Sequence, residues 1–268
     1  MKRDFIAEKT LLVDNLRVNY KIAGEGPAIL VLHGWGGSSD SWITVQKMLV
    51  QHGYKVISPD FPGFGKSDPP PYPWDLMEYA NWVREFTDLL HLQKFFLLAH
   101  SFGGRVGVKF ILNYPERVQA LILCNSAGIK PVPGLKTKII FWIAKIGNAI
   151  FSQRPLVRLK DRLKNLFYLF LCRSDYGRAK GVMKETIKKV LAEDLLASLS
   201  QIKVRTLIIW GEKDRILPLK YAHIFKEKIP FSELKVLPKV GHSPHLEVPE
   251  KLTEIIISFL QNKKFLTK

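Results

Sequence analysis

A serine hydroxyl becomes a useful nucleophile only where the fold exposes it and a base can take its proton. The stretch Phe95-Phe96-Leu97-Leu98-Ala99-His100-Ser101-Phe102-Gly103-Gly104 offers such a place. An apolar strand runs into a small-x-Ser-x-Gly-Gly turn, and a helical stretch follows through Phe110. A turn of this kind, a nucleophile elbow, strains the backbone of its serine and lifts Oγ above the sheet edge. Small flanking residues let the neighbouring strand and helix approach. Ala99 stands where a glycine is usual, a difference of one methyl. The competing reading is an ordinary turn whose serine caps the helix.

The base must lie downstream, at the same edge of the sheet. His242 fits, in Leu237-Pro238-Lys239-Val240-Gly241-His242-Ser243-Pro244-His245, because it follows a predicted strand and Gly241 frees the loop that carries it. His245 competes and is read as a packing residue beside a helix. A carboxylate must then fix the tautomer of the base and stabilise its cation. Asp214 is placed for this on the loop Gly211-Glu212-Lys213-Asp214, after the run Thr206 to Trp210, with Glu212 as its nearest rival. Attack on a carbonyl also creates an oxyanion, which needs preorganised N–H donors. Phe102, just after the serine, is expected to give one. The loop His33-Gly34-Trp35-Gly36-Gly37 is expected to give the other, from Trp35. Its glycines fit neither the dinucleotide fingerprint nor the P-loop, so no nucleotide site is expected. The catalytic set is therefore Ser101, Asp214 and His242, with Trp35 and Phe102 as backbone donors and with no metal or organic cofactor required.

The elements that must position these residues are visible as short apolar runs. Ala28 to Leu32, Lys55 to Ser58, Phe95 to Ala99, Leu121 to Cys124, Thr206 to Trp210 and Leu234 to Leu237 each close on Gly, Pro, Asn or Asp, as strands buried on both faces do. Longer amphipathic stretches separate them, the pattern of a mostly parallel sheet wrapped by helices. Ahead of them Leu16, Val18 and Tyr20 alternate with Arg17 and Asn19, which predicts a half-exposed antiparallel edge strand. Near the end, Leu252, Ile255, Ile256, Phe259 and Leu260 follow the spacing of one buried helical stripe opened by Pro249. From about Lys130 to Leu199 the strand signal disappears. Ile139, Trp142, Ile143 and Ile146 recur there at helical spacing among lysines and arginines, which predicts an inserted helical cap entered through Gly128, Pro131, Pro133 and Gly134.

At 268 residues the chain suits one α/β domain with an insertion, and 47% hydrophobic and 24% charged residues exclude disordered and fibrous classes. Cys124 and Cys172 lie in no zinc or redox spacing. Asp4, Glu8 and Lys9 interrupt any signal-peptide run, and no apolar stretch spans a bilayer, so a cytoplasmic location is expected. The net charge of +17 is concentrated between Lys130 and Lys189, where fifteen Lys or Arg meet three acids, Asp161, Asp175 and Glu185. Such a segment could attract anionic substrates, acidic lipid surfaces or nucleic acid, or be a solvated face.

Taken together, His33-Gly34-Trp35-Gly36, Asp60-Phe61-Pro62-Gly63-Phe64-Gly65-Lys66-Ser67, the elbow, Gly211-Glu212-Lys213-Asp214 and Gly241-His242 resemble the α/β-hydrolase superfamily over essentially the whole chain. The resemblance implies a mostly parallel eight-stranded sheet flanked by helices, with residues 1–128 and 201–268 as core and 129–200 as a helical cap between strands six and seven. Similar haloalkane dehalogenases and epoxide hydrolases carry Asp at the elbow, where this chain has Ser101. Proline iminopeptidase-like members need cap carboxylates, which are scarce here. Hydrolysis of a carboxylic ester or lactone is the leading expectation, with Trp35, Phe102 and Trp142 against the substrate and Phe151, Phe167 and Tyr168 as further aromatic residues for such a pocket. The alternatives are a carbon–carbon bond hydrolase for vinylogous diketone acids, with Arg154, Arg158 or Arg173 on the carboxylate, an acyl thioesterase, and a ligand receptor on the same fold. The expected partner is a small acyl substrate, anionic in some of these readings. No nucleic acid is expected, membrane-surface contact through the basic cap is not favoured, and the chain is expected as a monomer or homodimer.

Overall fold

The structure is a computed structural model that describes residues 6–130 and 181–262. The chain divides into two compact units, one formed by Met1–Ile129 with Gly181–Lys268 and the other by Lys130–Lys180. Most of the basic insertion, including Trp142, Phe151, Phe167, Tyr168 and Arg154, Arg158 and Arg173, lies outside the described residues.

The first unit is built on an eight-stranded sheet of order β1-β2-β4-β3-β5-β6-β7-β8. Its strands are β1 (Ala7–Val13), β2 (Leu16–Ala23), β3 (Ala28–Leu32), β4 (Lys55–Pro59), β5 (Phe95–His100), β6 (Val118–Cys124), β7 (Thr206–Gly211) and β8 (Ser232–Leu237). The pairs β1–β2 and β2–β4 are antiparallel, and all others are parallel. The six apolar runs of the sequence are the six parallel strands. β2 is not the edge, however. It pairs on both sides, and the edge is β1, where Glu8, Lys9 and Thr10 face solvent. Asp14 and Asn15, at φ 47° and 61°, close the β1–β2 hairpin, and both residue types tolerate left-handed backbone.

Helices cover both faces. On one lie α1 (Ile43–Gln51) and α7 (Pro249–Gln261), and on the other α2 (Leu76–Leu89), α3 (Phe102–Asn113), α4 (Val182–Ala192) and α5 (Lys220–Lys228). A one-turn helix, α6 (Pro244–Glu247), precedes α7. Period-two alternation divides each central strand between the two layers. In β5, Leu97 and Ala99 belong to the core layer of Trp82, Phe86, Val106 and Phe110, while Leu98 belongs to that of Val45, Leu49, Leu252 and Ile256. Burying each such aliphatic side chain contributes roughly 1.5–3 kcal/mol. Pro249 opens α7 as the sequence predicts, and Leu252, Ile256 and Phe259 of its stripe are buried. Among the described residues, no helix is long and apolar enough to cross a membrane.

Candidate active site

Ser101 stands between the last residue of β5 and the first of α3, at φ 51° and ψ −114°. A residue with a Cβ avoids this region unless its surroundings impose it. Here they do. The Ser101 N–H donates to the Cys124 carbonyl at 3.3 Å, while its own carbonyl accepts from Ala127 N–H at 3.0 Å and Arg105 N–H at 3.2 Å. The glycines after the serine answer a steric demand, since a Cβ at Gly103 would lie 2.3 Å from the Leu32 carbonyl oxygen on β3. The methyl of Ala99 is accommodated from the helix side, because it faces Gly107, whose added Cβ would stand 3.2 Å from it.

His242 and Asp214 arrive from the loops after β8 and β7. His242 Nε2 lies 3.1 Å from Ser101 Oγ, and His242 Nδ1 lies 2.8 Å from Asp214 Oδ2. The Asp214 side chain is wholly buried, so its charge needs donors. Oδ1 accepts from Ile216 N–H and Leu217 N–H, each at 2.8 Å, and Oδ2 accepts from Asn125 Nδ2–H at 2.6 Å. Burial alone would raise the Asp214 pKa, but hydrogen bonds from His242, Asn125 and Leu217 outweigh it and hold the carboxyl below its usual range. An ionised Asp214 keeps the His242 proton on Nδ1 and leaves Nε2 as the acceptor for the serine O–H.

The rival residues are engaged elsewhere. Glu212 is exposed and accepts from Lys239 N–H at 2.9 Å. His245 is buried, with its ring stacked on Trp42 at 4.3 Å and 6°. Burial, reinforced by His242 and His33, lowers its pKa to about 3, so it is a neutral packing group.

Two supports of the histidine loop had no clear signal in the sequence. His100, inside the elbow, is buried, and its Nε2–H donates to the His242 carbonyl at 2.8 Å. Burial and the neighbouring His245 and His242 hold its pKa well below the ordinary value, which keeps it neutral. Glu247 accepts from Gly241 N–H at 2.7 Å and Ser243 N–H at 3.1 Å.

The expected oxyanion donors belong to one aromatic cluster. Phe102 begins α3, so its N–H is one of those a helix leaves without an internal partner. Neither it nor the Trp35 N–H is hydrogen-bonded among the described residues. The Trp35 loop is tied down by Gly37 N–H donating to Gly34 C=O at 3.0 Å. His33 fastens it further, with Nδ1–H donating to Gly34 C=O at 2.7 Å and Nε2 accepting from Phe61 N–H at 3.0 Å. The Trp35 ring meets Phe64 at 4.8 Å and Phe102 at 5.2 Å, and Phe102 also meets Phe61 and Tyr79. Trp142, the third expected substrate contact, lies outside the described residues. Among the described residues no group of three or more His, Cys, Asp or Glu is placed to hold a metal ion.

Known proteins share this architecture. A family model described as alpha/beta hydrolase fold matches residues 27–249. A 2-hydroxy-6-oxo-6-phenylhexa-2,4-dienoate hydrolase of Burkholderia cepacia is 29% identical over 280 residues, covering 96% of this chain and 95% of its own. An esterase from Exiguobacterium antarcticum superposes with a TM-score of 0.74 at 25% identity, covering 95% of this chain and 99% of its own. A meta-cleavage product hydrolase from Pseudomonas fluorescens superposes at 0.72 with 23% identity, covering 95% and 97%, a likeness of fold.

Proposed function

The chain belongs to the α/β-hydrolase fold family, and from that premise we propose that it is a serine hydrolase cleaving carboxylic esters or lactones through an acyl-enzyme on Ser101. The observation that carries this reading is the continuous hydrogen-bonded line from Ser101 Oγ through His242 to the buried Asp214. In the acylation step Oγ attacks the carbonyl carbon while His242 Nε2 takes its proton. The carbonyl oxygen, now an anion, accepts from the N–H groups of Phe102 and Trp35. Collapse breaks the bond to the alcohol oxygen, which leaves with the proton from His242. Water then gives a proton to His242 and attacks the acyl carbon, and the carboxylic acid departs as Ser101 recovers its hydrogen. The aromatic cluster of Trp35, Phe64 and Phe102 favours an apolar acyl group over a charged one.

A second reading, hydrolysis of a carbon–carbon bond in a vinylogous diketone acid, is favoured by the 29% identity to the dienoate hydrolase over nearly the full length. The same serine and histidine would serve it. p-Nitrophenyl esters of increasing acyl length, assayed beside Ser101→Ala and beside a 2-hydroxy-6-oxodienoate, separate the two. Ester turnover with kcat lower by at least about 10⁴-fold in Ser101→Ala supports the ester reading. Consumption of the dienoate without ester turnover replaces it with the second.

A further inference from the structure

Asn125 is the first residue after β6, fully buried, and its φ of 43° lies in the left-handed region that asparagine tolerates better than most residues. Its backbone N–H donates to the Ile209 carbonyl at 2.9 Å. Its side chain joins three parts of the site. Nδ2–H donates to Asp214 Oδ2 at 2.6 Å and to the Gly241 carbonyl at 3.2 Å, while Oδ1 accepts from Gly211 N–H at 3.2 Å. These partners fix the amide's orientation, because the reversed amide would turn its oxygen toward a carboxylate and a carbonyl and its NH₂ toward an N–H. The oxygen that receives Nδ2–H is the same one that receives His242 Nδ1–H.

We propose that Asn125 is a positioning residue for the catalytic base: it holds Asp214 and the backbone before His242 in one arrangement, and by sharing Asp214 Oδ2 it sets how strongly the carboxylate supports the imidazolium. The proposal rests on the reading of Ser101, His242 and Asp214 as one catalytic unit. Removing the amide withdraws a donor from the carboxylate, leaves more negative charge facing His242 and stabilises the protonated imidazole. The His242 pKa should therefore rise. The other titratable groups facing this pair are His100, His245, the buried Cys124 thiol, and Glu247 and Glu212 on neighbouring backbone. All are retained when only residue 125 changes.

The test uses the full chain with ¹⁵N-labelled histidine and asparagine, following the His242 imidazole by NMR against pH and assigning it through His242→Asn. No substrate is needed, so failure of the ester reading leaves this measurement interpretable. Asn125→Gly removes the side chain while tolerating the left-handed backbone, and Asn125→Ala removes it and adds backbone strain. The expected result is a His242 midpoint higher than the wild type's in both, with a greater loss of stability in the alanine variant than in the glycine variant. A midpoint that stays or falls in Asn125→Gly overturns the proposal. If neither variant folds, the wild type decides. Asn125 side-chain ¹⁵N–¹H signals that move with the His242 midpoint support the proposal, and signals indifferent to it contradict it.

Discussion

His245 shows how a buried histidine three residues from the candidate base can shape stability without entering the chemistry. Its pKa falls from an ordinary value near 6.5 to about 3 because burial disfavours the cation. Between those values the unfolded chain takes up a proton that the folded chain refuses, so stability is lost as pH falls, by about 1.4 kcal/mol per pH unit. His245→Phe retains a ring for Trp42 and removes the titration. Its urea midpoint should fall less steeply than the wild type's from pH 6.5 toward 4, and parallel slopes would contradict this. At this scale the sequence made Ser101, Asp214 and His242 legible, because the chemistry demands these residue types at the ends of apolar runs. Asn125 and His100 were not legible. An Asn after a strand reads as a breaker and a His beside the serine as an elbow spacer, and only their partners across the sheet reveal more.

The elbow depends on how closely α3 approaches β3. A Cβ at position 103 meets the Leu32 carbonyl at 2.3 Å, and backbone oxygen at that distance cannot yield as a side-chain tip would. Gly103→Ala should therefore destabilise the protein by at least about 2 kcal/mol, read as a lower urea midpoint. A variant as stable as the wild type would show that the strand and helix can separate. The parallel strands were legible as apolar runs because both faces are covered, which removes polar residues from either side. β1 was not, since Glu8, Lys9 and Thr10 at its centre face water and break the pattern. Without β1, the alternation of β2 reads as an edge, although β2 pairs on both sides.

Over the whole molecule the dominant sequence feature is charge, +17 overall and strongly weighted to Lys130–Lys189. Most of that segment lies outside the described residues. A basic segment serving as a solvated face gives no extra flotation with vesicles carrying one-third anionic lipid, relative to neutral vesicles, at about 0.15 M salt. Lipid-dependent flotation would assign the segment to a membrane surface instead. The proposed chemistry turns on one atom, Ser101 Oγ, which lies 3.1 Å from His242 Nε2. Intact-mass measurement after exposure to a fluorophosphonate tests it most directly, because the reagent modifies an activated serine whatever the natural substrate. A single adduct is expected, mapped to Ser101, absent in Ser101→Ala and formed at least about 100-fold more slowly in His242→Ala. An unmodified wild type, or an adduct that persists in Ser101→Ala, would contradict it.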